Sequence, residues 1–317
     1  MSSKKTPVRV CSKKETFIGD IRRHPYRYLL LLPAALYTLI YGYLSYPYIV
    51  IAFKRFDFRL GVFGSPFNGL TNFEFFFRSN AAATVIWNTI YLNLLFLITG
   101  TVAALVLAIM LSEIRSRNFK RTSQSLMLFP HYLSWVVISY LIYGFFSMEF
   151  GMVNKIIERF GGEAVNWYTK AEAWPWILVV MRIWKGVGMS AVIYLAAITG
   201  IDRGIYEAAE TDGAGRLQQI WHITIPLLLP TVCILTLLSI GRIMYGDFGM
   251  IYALIGDNGV LYSTTDIIDT YVFRALRQTG NPSQAMAVSL FQSALGFLMV
   301  FGSNRLAKKL FPDGALY

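Results

Sequence analysis

Three basic side chains stand inside apolar runs of this 317-residue chain: Arg182 and Lys185 within 174–199, and Arg242 within 226–246. On insertion scales a Lys or Arg at the centre of a bilayer costs about 2.5–3.5 kcal/mol, so such residues turn toward protein or a water-filled cavity. Arg182 and Lys185 are three residues apart and Met189 follows four later, which puts all three on one face of a helix. At a rise of about 1.5 Å per residue, Arg182 and Lys185 lie roughly 12 and 16 Å inside a boundary at Trp174, and Arg242 roughly 6 Å inside one at Gly246. A guanidinium offers a planar fork of donors matched to a carboxylate. The chemistry on offer is binding of an acidic solute. The alternative is internal pairing, Arg242 with Asp247 and Arg182 with Glu172 or a neighbouring subunit, with the long stems reaching toward water.

Covalent chemistry has no comparable set of residues. His24, His131 and His222 share no metal-ligand spacing. Cys11 and Cys233 give no disulfide framework. No Ser/His/Asp, Cys/His or paired-carboxylate arrangement can be assembled, and Asp257, Asp266 and Asp269 have no partner assignable from sequence. The sequence also lacks a GxxxxGK[ST] loop with which to cradle ATP.

Holding these cations requires membrane helices, and composition agrees. The chain is 55% hydrophobic and only 15% charged, with a mean hydropathy of +0.49, which is the pattern of a polytopic membrane protein. Its net charge of +11 sits in short blocks beside apolar runs, as membrane topology requires, and not in a nucleic-acid-binding stripe. A helix needs roughly 20 apolar residues to cross the hydrocarbon core. Six segments qualify: 28–52, 84–112, 125–147, 174–199, 226–246 and 284–303. They are too long for barrel strands and do not alternate, so the fold class is all-α with six transmembrane helices. The first segment is long and aromatic without a cleavage signature, so it reads as a retained span. Eight Lys/Arg in the tail 1–27, and Arg115, Arg117, Lys120 and Arg121 between the second and third spans, put both termini in the cytoplasm. Residues 28–310 then form the transmembrane domain and 311–317 a short tail.

This topology leaves Tyr206–Thr224 on the cytoplasmic side. Ala208, Ala209, Leu217, Ile220 and Trp221 recur at helical spacing, with Glu207, Glu210, Asp212 and Gln218 on the polar face. Gly213 breaks the segment into two short helices, and Pro226 and Pro230 are placed to open the next span. Such a hairpin suits a groove on another protein. A helix lying flat on lipid is the plainer reading, but its polar face is acidic and so poorly suited to anionic headgroups.

The run Glu207-Ala208-Ala209, then Gly213, Ile223, Ile225 and Pro226, resembles the loop of permease subunits of binding-protein-dependent ABC importers of the type I fold. The segments 184–188 (WKGVG), 193–202 (IYLAAITGID), 266–276 (DIIDTYVFRAL) and 304–310 (NRLAKKL) resemble the sugar permeases that take up aldouronate or complex polysaccharides. The resemblance implies that 206–224 is a coupling helix. Glu207 would then pair with an arginine of an ATP-binding subunit, Ala208, Ala209 and Asp212 would complete the motif, Gly213 would permit the turn, and Leu217 and Ile220 would fill the apolar cleft ahead of Pro226. Ile220 takes a place that is usually aromatic, with Trp221 beside it. The resemblance also implies a substrate path along Arg182, Lys185, Met189, Ser239, Arg242, Ile243 and Gly246, with an acidic oligosaccharide of aldouronate or alginate type as cargo. Tyr140, Tyr143 and Tyr194 are further candidates for stacking on sugar rings. Implied partners are a second homologous permease, two ATP-binding subunits that carry ATP and Mg, and an extracytoplasmic solute-binding protein seated on loops 63–77, 151–174 and 246–282. No cofactor is expected in this chain, and the location implied is a bacterial cytoplasmic membrane. A membrane enzyme of sugar or lipid metabolism and an ATP-independent carrier are the competing classes.

Overall fold

The computed structural model describes residues 22–310; most of the predicted basic tail 1–27, and the tail 311–317, lie outside the described residues. The chain divides into two compact units, one ending at Val50 and the other beginning at Ile51. In the first, α1 (Pro25–Tyr37) starts on a proline and widens into a π-helical turn over Thr38–Tyr43, with no buried residue in either. A face of Leu29, Leu30, Leu36 and Ile40 is thus left bare, as suits a helix solvated by lipid.

The second unit holds the remaining spans. Helix α2 (Thr71–Arg78) precedes α3 (Asn80–Glu113), then come α4 (Arg117–Leu128), α5 (Trp135–Phe146), α6 (Met152–Arg159) and α7 (Trp174–Thr199). The hairpin follows as α8 (Arg203–Thr211) and α9 (Arg216–Gln219), leading to α10 (Ile225–Ile240), α11 (Phe248–Ile255), α12 (Ile268–Arg277) and α13 (Pro282–Leu310). Among the described residues five helical stretches are long and apolar enough to cross a membrane, or six if the bent pair Arg117–Tyr132 and Trp135–Phe146 is one span. No strand occurs among them beyond an isolated bridge between Lys54 and Phe67.

The longest interface runs along α3 and α7. At one end Ala104, Ala108 and Ala191 are completely buried beside Leu111, Leu195 and Ile198, small side chains that bring two backbones close in lipid. At the other end Leu92, Phe96 and Leu178 join Ile138, Ile142, Met250 and Ile267 around Trp174, whose indole N–H donates to Trp167 O at 2.9 Å.

Two of the predicted spans need correction. The third is not one helix, because it breaks after a 3-10 turn at Phe129–Tyr132 and bends by 97°. Pro130 supplies no N–H, Leu133 and Ser134 are extended, and Ser134 Oγ caps α5 by accepting from Val137 N–H at 3.2 Å. The fifth ends at Ile240 and not at 246: Gly241 closes it, a hydrogen-bonded turn follows, and Asp247 caps α11 by accepting from Met250 N–H at 3.0 Å. Pro226 stands in the first turn of α10, as predicted, whereas Pro230 lies inside the helix, and a π-helical turn at Ile220–Thr224 carries the chain into it from Arg216. Ile225 N–H reaches back to Ile220 O, and this wide turn falls just before the proline that has no N–H to give.

Candidate functional site: a central cavity and a hairpin

A cavity of about 920 Å³ opens between α3, α5, α7 and the turn after α10. Of the seven residues predicted to form a substrate path, Arg182, Lys185, Ser239, Arg242, Ile243 and Gly246 line it, whereas Met189 does not. A narrower extension of about 410 Å³ shares Gly100, Thr101, Ser190, Ser239 and Arg242 with it and reaches Tyr194.

The three cations differ in what they touch. Arg182 Nη1 donates to Asp247 Oδ2 at 2.9 Å, and its guanidinium also lies 5.1 Å from the Phe96 ring centroid. Within this chain its partner is Asp247 and not Glu172, and Asp247 is engaged by Arg182 and not by Arg242. Lys185 Nζ donates to two backbone carbonyls at the break in the third span, His131 O at 2.8 Å and Leu133 O at 2.5 Å, and stands 5.3 Å from the Trp135 ring centroid. Arg242 lines both the cavity and its extension, and its side chain makes no hydrogen bond or ion pair among the described residues. It is the cation left available to a solute.

Sequence reasoning missed part of the lining. Asn93, Phe96, Thr99 and Thr101 face the cavity from α3, and Trp135 and His131 from the bent span. Polar residues inside the apolar run 84–112 were the readable signal for the first group. Tyr194 is buried in the α3–α7 core beside the extension, while Tyr140 and Tyr143 are exposed and line neither cavity.

Asp257, Asp266 and Asp269 all have partners. Asp266 is buried, pairs with Arg274 and accepts from Thr270 Oγ1 at 2.7 Å. Asp257 lies 3.9 Å from Arg277. Asp269 accepts from Gly246 N–H at 2.7 Å and from Gln292 Nε2 at 3.2 Å, tying α12 and α13 to the cavity wall.

The hairpin is built locally. Asp202 caps α8 by accepting from Gly204 N–H at 3.0 Å. Gly213 turns the chain with φ of +83°; a Cβ there would meet nothing within 4 Å, so the glycine is required by backbone conformation alone. Buried Gln219 donates to Ala214 O at 3.1 Å, and Tyr206 Oη and Thr224 Oγ1 meet at 2.9 Å to close the base. Arg216 reaches Glu210 at 3.5 Å and Glu113, at the end of α3, at 3.8 Å. Glu207, Ala208, Asp212, Leu217, Trp221 and Pro226 are exposed, and Ala209 and Ile220 half-buried, so Trp221 presents more surface than the predicted Ile220.

Crossing helices around a polar cavity, with a stiff hairpin joined to one of them, define the membrane-embedded body of a transporter. Residues 100–311 match the family model described as binding-protein-dependent transport system inner membrane component. Over 308 residues the chain is 35% identical to Protein LplB of Bacillus subtilis (strain 168), covering 97% of this chain and 96% of the relative. Over 302 residues it is 36% identical to the polygalacturonan/rhamnogalacturonan transport system permease protein YteP of the same organism, covering 95% and 94%. Its fold superposes with a TM-score of 0.84 on a chain of a bacterial ABC transporter involved in import of the acidic polysaccharide alginate, at 30% identity and covering 92% of this chain and 98% of that one. It also superposes, with a TM-score of 0.83 and 30% identity over 93% of this chain and 98% of that one, on a chain of a bacterial alginate ABC transporter in complex with an alginate pentasaccharide-bound periplasmic protein. The chain belongs to the binding-protein-dependent transport system inner membrane component family. It is a permease subunit of an ABC importer, a component of a transporter and not an enzyme.

Proposed function

We propose that this permease carries acidic oligosaccharides, uronate polymers of the alginate or polygalacturonan kind, through the cavity beside Arg242. The observation that carries the reading is the free guanidinium of Arg242 in a cavity whose other two cations are already engaged. The cargo of the transporter whose fold it shares, alginate, and the galacturonan of a 36% identical relative supply the same chemistry. Ser239, Ile243 and Gly246 complete the wall on the α10 side, and a cavity of about 920 Å³ suits a short oligosaccharide.

In this reading the hairpin and both termini face the cytoplasm. Glu207 pairs with an arginine of an ATP-binding subunit, Gly213 holds the turn, and Leu217, Ile220 and Trp221 enter its cleft. A second permease completes the pore, two ATP-binding subunits carry ATP and Mg, and a periplasmic binding protein delivers the sugar. Closure of the ATP-binding pair draws the hairpins together and rocks the spans between inward-open and outward-open states.

The test is uptake into proteoliposomes holding the whole transporter, with a uronate oligosaccharide and a neutral one of equal length. Arg242→Gln lowers uronate uptake by about tenfold or more, the loss of a charge-assisted pair, and leaves neutral uptake within about twofold of wild type. Unchanged uronate uptake overturns the assignment.

A further inference from the structure

The segment Trp184–Gly188 has a role in the fold that a sugar contact does not explain. Its lysine faces the break in the third span, where the chain leaves helix at Tyr132 and re-enters it at Trp135. Carbonyls released at such a break are costly in a membrane unless a donor reaches them. Lys185 Nζ is that donor, to His131 O and Leu133 O. One turn further along, Gly188 meets the same span: a Cβ at Gly188 would lie 2.2 Å from Met127 O and 2.7 Å from Met127 C. A glycine where α4 crosses and a lysine where the chain breaks form two points of one seat, three residues apart on α7. Trp135, the first residue after the break, stands in the cavity wall, and its ring packs 5.3 Å from the Lys185 ammonium.

We propose that Lys185 is a positioning residue: with Gly188 it forms a seat on α7 that holds the break in the third span, and so fixes where Trp135 stands in the cavity. An ammonium has three donors. Two are spent on carbonyls of this chain, so Lys185 shapes the cavity wall whatever its third donor meets. The proposal rests on the cavity being the transport path for its functional consequence, but its structural claim can be tested without any transport.

Hydrogen exchange of the purified transporter in detergent, without sugar, reads the seat directly. Leu133 N–H bonds to Pro130 O, Val137 N–H to Ser134 Oγ and Ile138 N–H to Ser134 O, so these amides report opening of the break. Lys185→Met raises their exchange by about tenfold or more, the expected loss for hydrogen bonds to a charged donor, while amides of the distant α13 stay unchanged. Lys185→Arg retains most of the protection, and Gly188→Ala reproduces the loss. If Lys185→Met fails to accumulate in the membrane while Lys185→Arg accumulates normally, the seat is also supported, because a residue that meets only sugar is not needed for assembly. Wild-type exchange in a well-folded Lys185→Met protein overturns the proposal, as does failure of both variants to accumulate. Neither result touches the Arg242 assignment, which is read from uptake alone.

Discussion

Gly246 lies where the cavity wall meets the core cluster around Trp174, and adding one methyl group there tests how tightly the two are fitted. A Cβ on Gly246 would stand 2.2 Å from Ile267 Cδ1 and 3.3 Å from Asp269 Oδ2. Carbon atoms in contact sit about 3.5–4.0 Å apart, so Cδ1 must retreat by roughly 1.3 Å or more. Ile267 is completely buried in the cluster around Trp174 and has little room to yield. Overpacking of this kind costs about 1–3 kcal/mol. Ile267→Val alone removes Cδ1 and costs about 0.5–1.5 kcal/mol as a cavity. The next atom of Ile267, Cγ1, is at 3.5 Å from the new Cβ, an ordinary contact. The double variant Gly246→Ala with Ile267→Val therefore relieves its own clash, and the two changes couple favourably by about 1 kcal/mol or more. Thermal unfolding of the four purified transporters at one detergent and protein concentration measures this. About 2 °C per kcal/mol is expected for a chain of this size, so Gly246→Ala lowers the midpoint by about 2–6 °C and Ile267→Val recovers part of it. A double variant that falls by the sum of the singles, or an unshifted Gly246→Ala midpoint, refutes the packing argument.

Two further outcomes follow from α12 and the residues beside it. Arg274→Met strands the buried Asp266 carboxylate, a loss of about 3–5 kcal/mol, and adding Asp266→Asn restores much of the unfolding midpoint; a single variant as stable as wild type contradicts this. Burial lifts the Asp269 carboxyl above its ordinary range, against the hydrogen bonds from Gly246 N–H and Gln292. A carboxyl lifted on folding contributes stability below the unfolded-chain value of about 4 and loses it as pH rises through the folded value. Wild type should thus lose stability relative to Asp269→Asn as pH rises from about 4, and a pH-independent difference between the two rules this out.

The sequence makes the periodic elements plain and hides the contacts between them. The span predicted at 174–199 coincides with α7, Trp174–Thr199, because Pro175 marks its first turn and Gly200 follows its last. The hairpin is equally legible, since Gly213 is the one residue type that takes φ of +83° without penalty. The broken third span was not, although His131 and Ser134 interrupt the apolar run there, because hydropathy averaged over a window hides a two-residue break. The cations were found by type, but their partners were not. Arg182 and Asp247 are separated by 65 positions, and Lys185 bonds to carbonyls that every residue carries and no sequence marks. Sorting three basic residues into one ion pair, one backbone ligand and one open guanidinium required the fold.

The uninterrupted helix from Arg216 to Ile240 has a mechanical corollary. Twenty-five residues at about 1.5 Å each make a continuous helical path of roughly 37 Å, through one π-helical turn and two prolines, from the limb bearing Leu217 to the turn bearing Arg242. A displacement at the foot of this helix is therefore carried by one continuous backbone toward the turn that bears Arg242.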